Sequence, residues 1–397
     1  MIKGLEQYKE RWNLMSESAV KPGLNAIEEA MKELEDPHLA TKTVHIAGTN
    51  GKGSTAAMLA NILKKHGKFV GTFYSPGIHD LHDQIQIDGN NITEQSMDEI
   101  MQQLAKINTK LTDFELLTAA AFLAFRNHRV DFAIIEAGMG GRFDSTNVIR
   151  PEVSIIPSVA IEHADFLGST LKEIAWHKGG IIKKWQPVII GALPEEAENV
   201  IRDIANTLHS DLIQPRKLEA TSLSLKGEHQ RQNAALAIAA AEEVLKLEYH
   251  PVTAHIALVE TVLPFRFEER YPGLILDGAH NEASTDALVQ TVKTEYSDEN
   301  FRVVVGILKD KDYGTVLQKL ESIADEAVFV DFDNERALDA RVLFEKCNIS
   351  SKTLISQYDI LPLTKNKKKT IVTGSLYLLS SLTDEKSEFL QNYQLNA

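Results

Sequence analysis

One short run constrains this chain more than any other: HIAGTNGKGST, beginning at His45. The apolar, β-branched stretch TVHI leads straight into a turn with three glycines and then into STAAMLANILKKHG, whose apolar residues recur at helical spacing. Strand, glycine turn and helix in immediate succession make a phosphate cradle. Gly48, Gly51 and Gly53 let the backbone approach an anion, the loop amides and the helix amino end face it, and Lys52 adds a point charge. The run departs from the strict GxxxxGKS/T pattern, because Ile46 holds the first glycine's place and Gly53 intervenes before Ser54. The helix is expected to begin near Ser54 and to close on a capping glycine, Gly67. An ordinary glycine turn with an exposed lysine is the plain alternative, and the strand and helix on either side argue against it.

The remaining sequence continues the same alternation of short β-branched runs and longer helical stretches, the pattern of parallel sheets covered by helices. Expected strands are TVHIAG, FVGTFYS, DFAIIEAG, VSIIPSVA and PVIIGAL in the first half, then GLILDGA, RVVVGIL, AVFVDF and TIVTGS. A chain of 397 residues exceeds what one core organises. The boundary falls near LPFRFEERYPG, where Pro264, Pro272 and Gly273 punctuate a charged segment. The expected fold class is therefore α/β: a nucleotide-binding domain over residues 1–264 with a mostly parallel sheet, then a smaller Rossmann-like α/β domain over 265–397. The polar tail after Ser380 is expected to fray.

A formal net charge of −14 makes nucleic acid a poor partner, since backbone affinity comes from Lys and Arg displacing counterions. Anionic small ligands stay open, because a site's charge is local. The single Cys347 excludes an intramolecular disulfide and a multi-cysteine zinc cage. The amino-terminal run MIKGLEQYKERWNLM lacks an apolar signal core, and runs such as TAAAFLAF are too short to span a bilayer. A cytoplasmic monomer without membrane partners is the expectation.

GTNGKGS is the form this loop takes in Mur ligases and folylpolyglutamate synthases. YSPG, LTDFE, EAGMGGRFDSTNV, IEHADFLG, IAWHKGGIIK, GEHQRQNAA, LDGAHN, LKDKD and VTGSLYLL follow in the family's order across nearly the whole chain. Lys52 lies too close to the amino terminus for a preceding nucleotide-sugar domain, so the chain resembles the folate branch of the Mur ligase superfamily. That resemblance implies an ATP-dependent ligase adding L-glutamate to the γ-carboxylate of a folate through an acyl phosphate, releasing ADP and phosphate. Dihydrofolate synthase chemistry on dihydropteroate, alone or in addition, stays open. A nucleotide-binding regulatory homologue without ligation is a third reading.

The resemblance also assigns residues. Asn50, Gly51, Lys52, Gly53 and Ser54 would cradle ATP, with Asn233 at adenine and Arg266 and Asp277 as further nucleotide contacts. Ser75, Glu136 and His163 would surround Mg²⁺. Lys178 would be carbamylated, which needs a neutral amine and hence a depressed pKa. Lys52, Lys178 and His280 would serve catalysis, and the second domain would close over ATP and bind glutamate. Pro22, Phe114, Glu115, Asp144 and Ser145 would meet the folate. Taken singly, Ser75 reads as a turn residue, His163 as a structural histidine and Phe114 as core. The family pattern is broken at Asp83, His177, Gly179, Phe265 and Glu282, where Glu, Glu, Ala, Gly and Pro are usual.

Overall fold

A computed structural model describes residues 2–219, 222–297, 299–360 and 368–383. The chain divides into two compact units, one formed by Met1–Ser224 with Gln230–Thr261 and the other by Leu225–His229 with Val262–Ala397.

The first unit is built on an eight-stranded sheet in the order Leu212–Ile213, Val188–Ile190, Val153–Ile156, Lys42–Ile46, Phe132–Glu136, Val70–Phe73, Ile85–Ile87, Asn90–Asn91. The first six strands run parallel and the last two pair antiparallel. Phe132–Glu136 is buried at every position, as expected of a central parallel strand covered on both faces. On one face Phe73, Ile85, Ala133 and Ile135 pack with Ile27, Met101, Leu117 and Phe125 of three helices. On the other, Ile156, Val188 and Ile190 pack with Ile174 and Ile201. Each such Val, Leu, Ile, Phe or Met side chain, removed fully from water, contributes about 2 kcal/mol.

The topology makes a functional place. After Lys42–Ile46 the chain crosses to Val70–Phe73, returns to fill the gap with Phe132–Glu136, and then continues on the opposite side with Val153–Ile156. Loops at the carboxyl ends of these strands diverge there, which opens the crevice where α/β sheets bind ligands. The helix Asp113–His128 comes unusually near the sheet. A Cβ on Gly71 would stand 2.3 Å from the Phe125 ring, so only glycine permits this approach.

The second unit carries a six-stranded sheet in the order Glu268–Tyr271, Leu274–Leu276, Thr370–Thr373, Phe301–Val305, Ala324–Asp331, Ser351–Ser356. Only the first pair is antiparallel. Ile275, Val303, Phe329 and Ile371 form its core with Leu288, Leu317 and Leu343. The tail expected to fray lies mostly outside the described residues. Its described beginning is different from that expectation, because Leu376–Thr383 is a helix with Leu379 and Leu382 buried. No helix among the described residues is long and apolar enough to cross a membrane.

Candidate functional site

The glycine run forms a tight loop. Its helix starts at Lys52, two residues before the expected Ser54, because Gly51 adopts φ +85° and completes the turn by itself. A Cβ at Gly51 would stand 2.5 Å from Asn233 Oδ1 and 3.2 Å from Pro157 Cβ, so glycine is needed both for conformation and for space. The loop is clamped from the segment after Val153–Ile156. Thr49 N–H donates to Ser158 O (3.1 Å), Asn50 N–H donates to Ser158 Oγ (2.8 Å), and that hydroxyl donates to Asn50 O (2.9 Å). Lys52 Nζ donates to the Gly48 (2.9 Å) and Thr49 (3.3 Å) carbonyls and lies 3.8 Å from Glu136 Oε1. Ser54 is buried in the first helical turn, and Thr55 Oγ1 beside it is buried without a hydrogen-bond partner.

Glu136 ends its strand buried, one residue past the Phe73–Ile135 register pair, and its carboxylate acts on Tyr74 at the end of the neighbouring strand. Burial and the Glu136 carboxylate push the Tyr74 phenol upward. Ser75 precedes a cis peptide to Pro76. Asp83, one of the departures from the family pattern, organises the same loop by accepting from Ile78 N–H (3.0 Å) and His79 N–H (2.5 Å). His163 is exposed and takes φ +49° at the start of the helix Ala164–Leu167. Among the described residues no three His, Cys, Asp or Glu side chains gather in a metal-holding group. The oxygens of Glu136, Ser75 and Ser54 are nevertheless the hard donors that Mg²⁺ prefers.

Lys178 is 1% exposed, and its Nζ donates to Glu162 Oε1 at 2.8 Å. Burial lowers its pKa to about 8, Lys52 adds to the lowering, and Glu162 opposes it. The Glu162 carboxyl is held down at about 2, with Lys178 and then Lys52 outweighing its burial. Glu162 stands in the quoted IEHADFLG run without an assigned role. Its signal was that a buried lysine requires a carboxylate. Next to Lys178, His177 packs edge-on against Trp176 and Phe143, and burial followed by Arg142 lowers its pKa.

Hydrogen bonds link the segments that carry the five residues expected at the folate. Phe114 is half-buried, packs over Gly138, where a Cβ would meet its ring at 2.5 Å, and stacks on Phe73 at 5.9 Å. Ser145 Oγ meets Thr118 Oγ1 at 2.7 Å in the next turn of the same helix. Gly23 N–H, beside the exposed Pro22, reaches Phe143 O at 3.4 Å. Two of the carboxylates already have work within the fold. Glu115 closes a capping box by accepting from Thr112 N–H (2.7 Å) and Oγ1 (2.8 Å). Asp144 accepts from Met139 N–H (2.8 Å) and Thr146 Oγ1 (2.6 Å), while burial raises its pKa. Asn233 likewise donates to Gln230 Oε1 at 2.9 Å and braces Gly51.

In the second unit Asp277 follows Leu274–Leu276 and receives Phe267 N–H (2.8 Å) and Ala279 N–H (2.9 Å), one on each carboxylate oxygen. Burial raises its pKa, opposed mainly by Arg266. Gly278 leaves room for that guanidinium, since a Cβ there would stand 2.7 Å from Arg266 Nη1. His280 Nδ1 lies 2.8 Å from Gly278 O. The two departures here have local reasons. Glu282 opens the helix Glu282–Glu295, where an acid suits the dipole as well as a proline suits the backbone, and pairs with Lys319 at 3.4 Å. Phe265 keeps the left-handed conformation a glycine would adopt, φ +60°, and is 1% exposed. A cavity of ≈ 470 Å³ lies at the carboxyl ends of Phe301–Val305 and Ala324–Asp331, lined by Lys309, Asp331, Ala337, Leu338, Asp339 and Arg341.

The chain resembles known proteins over most of its length. Residues 46–210 match the Mur ligase middle domain and residues 265–374 the Mur ligase glutamate ligase domain. The dihydrofolate synthase/folylpolyglutamate synthase of Bacillus subtilis is 36% identical, covering 91% of this chain and 94% of that protein. The structure of E. coli FolC with DHPP and ADP superposes with a TM-score of 0.88 at 25% identity, covering 98% of both chains. A bifunctional folylpolyglutamate synthase/dihydrofolate synthase from Yersinia pestis, solved with AMPPNP and Mn, gives 0.83 at 26% identity over 95% of this chain and 96% of that one.

Proposed function

Because the chain belongs to the folylpolyglutamate synthase/dihydrofolate synthase family of Mur ligases, we propose that it joins L-glutamate to a folate-type carboxylate at the expense of ATP. The observation that carries this reading is that one unit holds both the Lys52–Glu136 phosphate loop and the cluster of Phe114, Ser145 and Gly23. The substrate carboxylate oxygen attacks the γ-phosphorus, ADP departs, and an acyl phosphate results. The glutamate amine, having lost a proton, then attacks the acyl carbon and phosphate leaves. Lys52 and the amides of residues 50–54 bind and neutralise the phosphates. Mg²⁺, held by Ser75, Glu136 and His163, would supply further charge neutralisation when bound.

Lys178 fits a carbamylation site in one respect: a pKa near 8 keeps a reactive fraction of the amine neutral near physiological pH. A carbamate there would meet the Glu162 carboxylate, so Glu162 has to release its hydrogen bond as the charge reverses. The second unit takes glutamate. Lys309 and Arg341 suit its carboxylates, and Asp331 and Asp339 suit its ammonium. Asn233 serves adenine, and Arg266, Asp277 and His280 serve the nucleotide. Dihydropteroate is a second acceptor, favoured by the DHPP bound in the E. coli relative. The chain works as a cytoplasmic monomer.

The test is turnover with ATP, glutamate and either tetrahydrofolate or dihydropteroate, with products read by mass. Lys52→Ala is expected to lose roughly a thousandfold in kcat, about 4 kcal/mol of transition-state stabilisation, with the fold retained. Folate-dependent phosphate release without an amide product, or a folded Lys52→Ala with full turnover, would overturn the reading.

A further inference from the structure

His45 has no part in the chemistry above, yet its surroundings are unusual for a core residue. It lies in Lys42–Ile46, the strand that feeds the phosphate loop, and is 0% exposed. Its Nε2 is 2.9 Å from Thr146 Oγ1, and that hydroxyl donates to Asp144 Oδ1 at 2.6 Å. A hydroxyl has one proton. Once it goes to the carboxylate, only lone pairs face the ring, so Nε2 carries the imidazole hydrogen. Nδ1 is then bare, and it is buried with no hydrogen-bond partner. Burial, reinforced by Lys183, holds the ring's pKa at about 3, which keeps it neutral at any working pH. An apolar side chain would fill this space without an orphaned nitrogen, so stability alone does not account for a histidine here.

What the histidine gains is a hold on one loop. Asp144 also accepts from Thr146 N–H (3.1 Å) and Met139 N–H (2.8 Å), so its carboxylate shapes the whole stretch from Gly138 to Thr146. Ser145, inside that stretch, reaches Thr118 in the helix Asp113–His128, which carries Phe114 in its first turn. We infer that His45 is a positioning residue for the pteridine substrate. Through Thr146 and Asp144 it ties the strand entering the phosphate loop to the loop carrying the folate contacts, and so sets where the acceptor sits relative to the phosphates. The inference rests on the folate reading proposed above.

The test uses the full chain and steady-state constants for each substrate. His45→Leu is expected to raise the KM for tetrahydrofolate or dihydropteroate roughly tenfold, the effect of one lost hydrogen bond, with KM for ATP within about twofold. His45→Gln, which restores an N–H donor, should recover most of that loss. Thr146→Val should reproduce the effect and Thr146→Ser should not, which keeps the test open if His45→Leu folds poorly. The double variant His45→Leu/Thr146→Val should be no worse than the poorer single one, because both break the same connection. A pteridine KM unchanged in both folded His45→Leu and Thr146→Val, an equal rise in KM for ATP, or multiplying effects in the double variant would each overturn the inference alone. Wild-type protein without turnover on either pteridine would overturn the folate reading, and the inference with it.

Discussion

The Lys178–Glu162 pair invites a quantitative test. Lys178 titrates at about 8 instead of 10.5, which at about 1.4 kcal/mol per pH unit is a penalty of about 3 kcal/mol for keeping the buried ammonium charged. Glu162 titrates at about 2 instead of 4.5, a gain of similar size. The signs follow from proton linkage. The Glu162 gain is present above pH 4.5 and is lost as pH falls through about 2. The Lys178 penalty is present below about pH 8 and is relieved as pH rises from there to 10.5, where the unfolded chain holds the proton more tightly. Both shifts contain the same Lys178–Glu162 attraction, so they describe one buried ion pair in which that attraction offsets the cost of burying the charges. Lys178→Met should therefore cost about 3 kcal/mol at pH 7, chiefly by stranding the Glu162 carboxylate, and adding Glu162→Gln should recover most of it. Glu162→Gln alone should cost less, because Lys178 then deprotonates, and its deficit should fall away as pH rises to about 8, where wild-type Lys178 also gives up its proton. All three tryptophans, Trp12, Trp176 and Trp185, lie in the first unit, so urea unfolding followed by their fluorescence reports the right transition. A double variant that loses the sum of the two single losses would refute the pairing argument.

Two further outcomes follow from the same site. Gly51→Ala forces a left-handed alanine against Asn233 Oδ1, so it should cost about 2 kcal/mol of stability and weaken ATP roughly tenfold; nucleotide affinity equal to wild type by calorimetry would refute the stated role of that contact. If Lys178 is carbamylated, removing bicarbonate should lower turnover and intact mass under non-acidic conditions should show one added CO₂; indifference to bicarbonate with an unmodified lysine would exclude the carbamate.

Much of the framework was legible because parallel strands advertise themselves. FAII is apolar at every position and VSII at all but Ser154, and only a strand covered on both faces calls for that. The short antiparallel edge of Ile85–Ile87 and Asn90–Asn91 carries no such signal, since its polar residues suit an exposed edge and a loop equally. Nor does local pattern show that Leu225–His229 packs with the second unit while the helix after it packs with the first, a division made by tertiary contacts.

At the site, residue type named the participants better than their tasks. Asp144 and Glu115 were expected to face a ligand, and their carboxylates are partly or wholly committed to backbone amides and threonine hydroxyls. Such commitments depend on where the N–H groups of a turn end up, which no single residue reveals. Glu162 was one acid among 56 Asp and Glu, and only the fold, by burying Lys178 sixteen positions later and pressing Glu162 against it, sets it apart. Three of the five departures from the family pattern are explained on the same terms. Asp83 keeps a carboxylate where loop amides need one, Glu282 replaces a proline at a helix start that tolerates either, and Phe265 takes over a glycine's backbone angle while filling core. In each case the physical demand at the position was kept although the residue changed, and it is that demand, more than the letter, that ties this chain to its family.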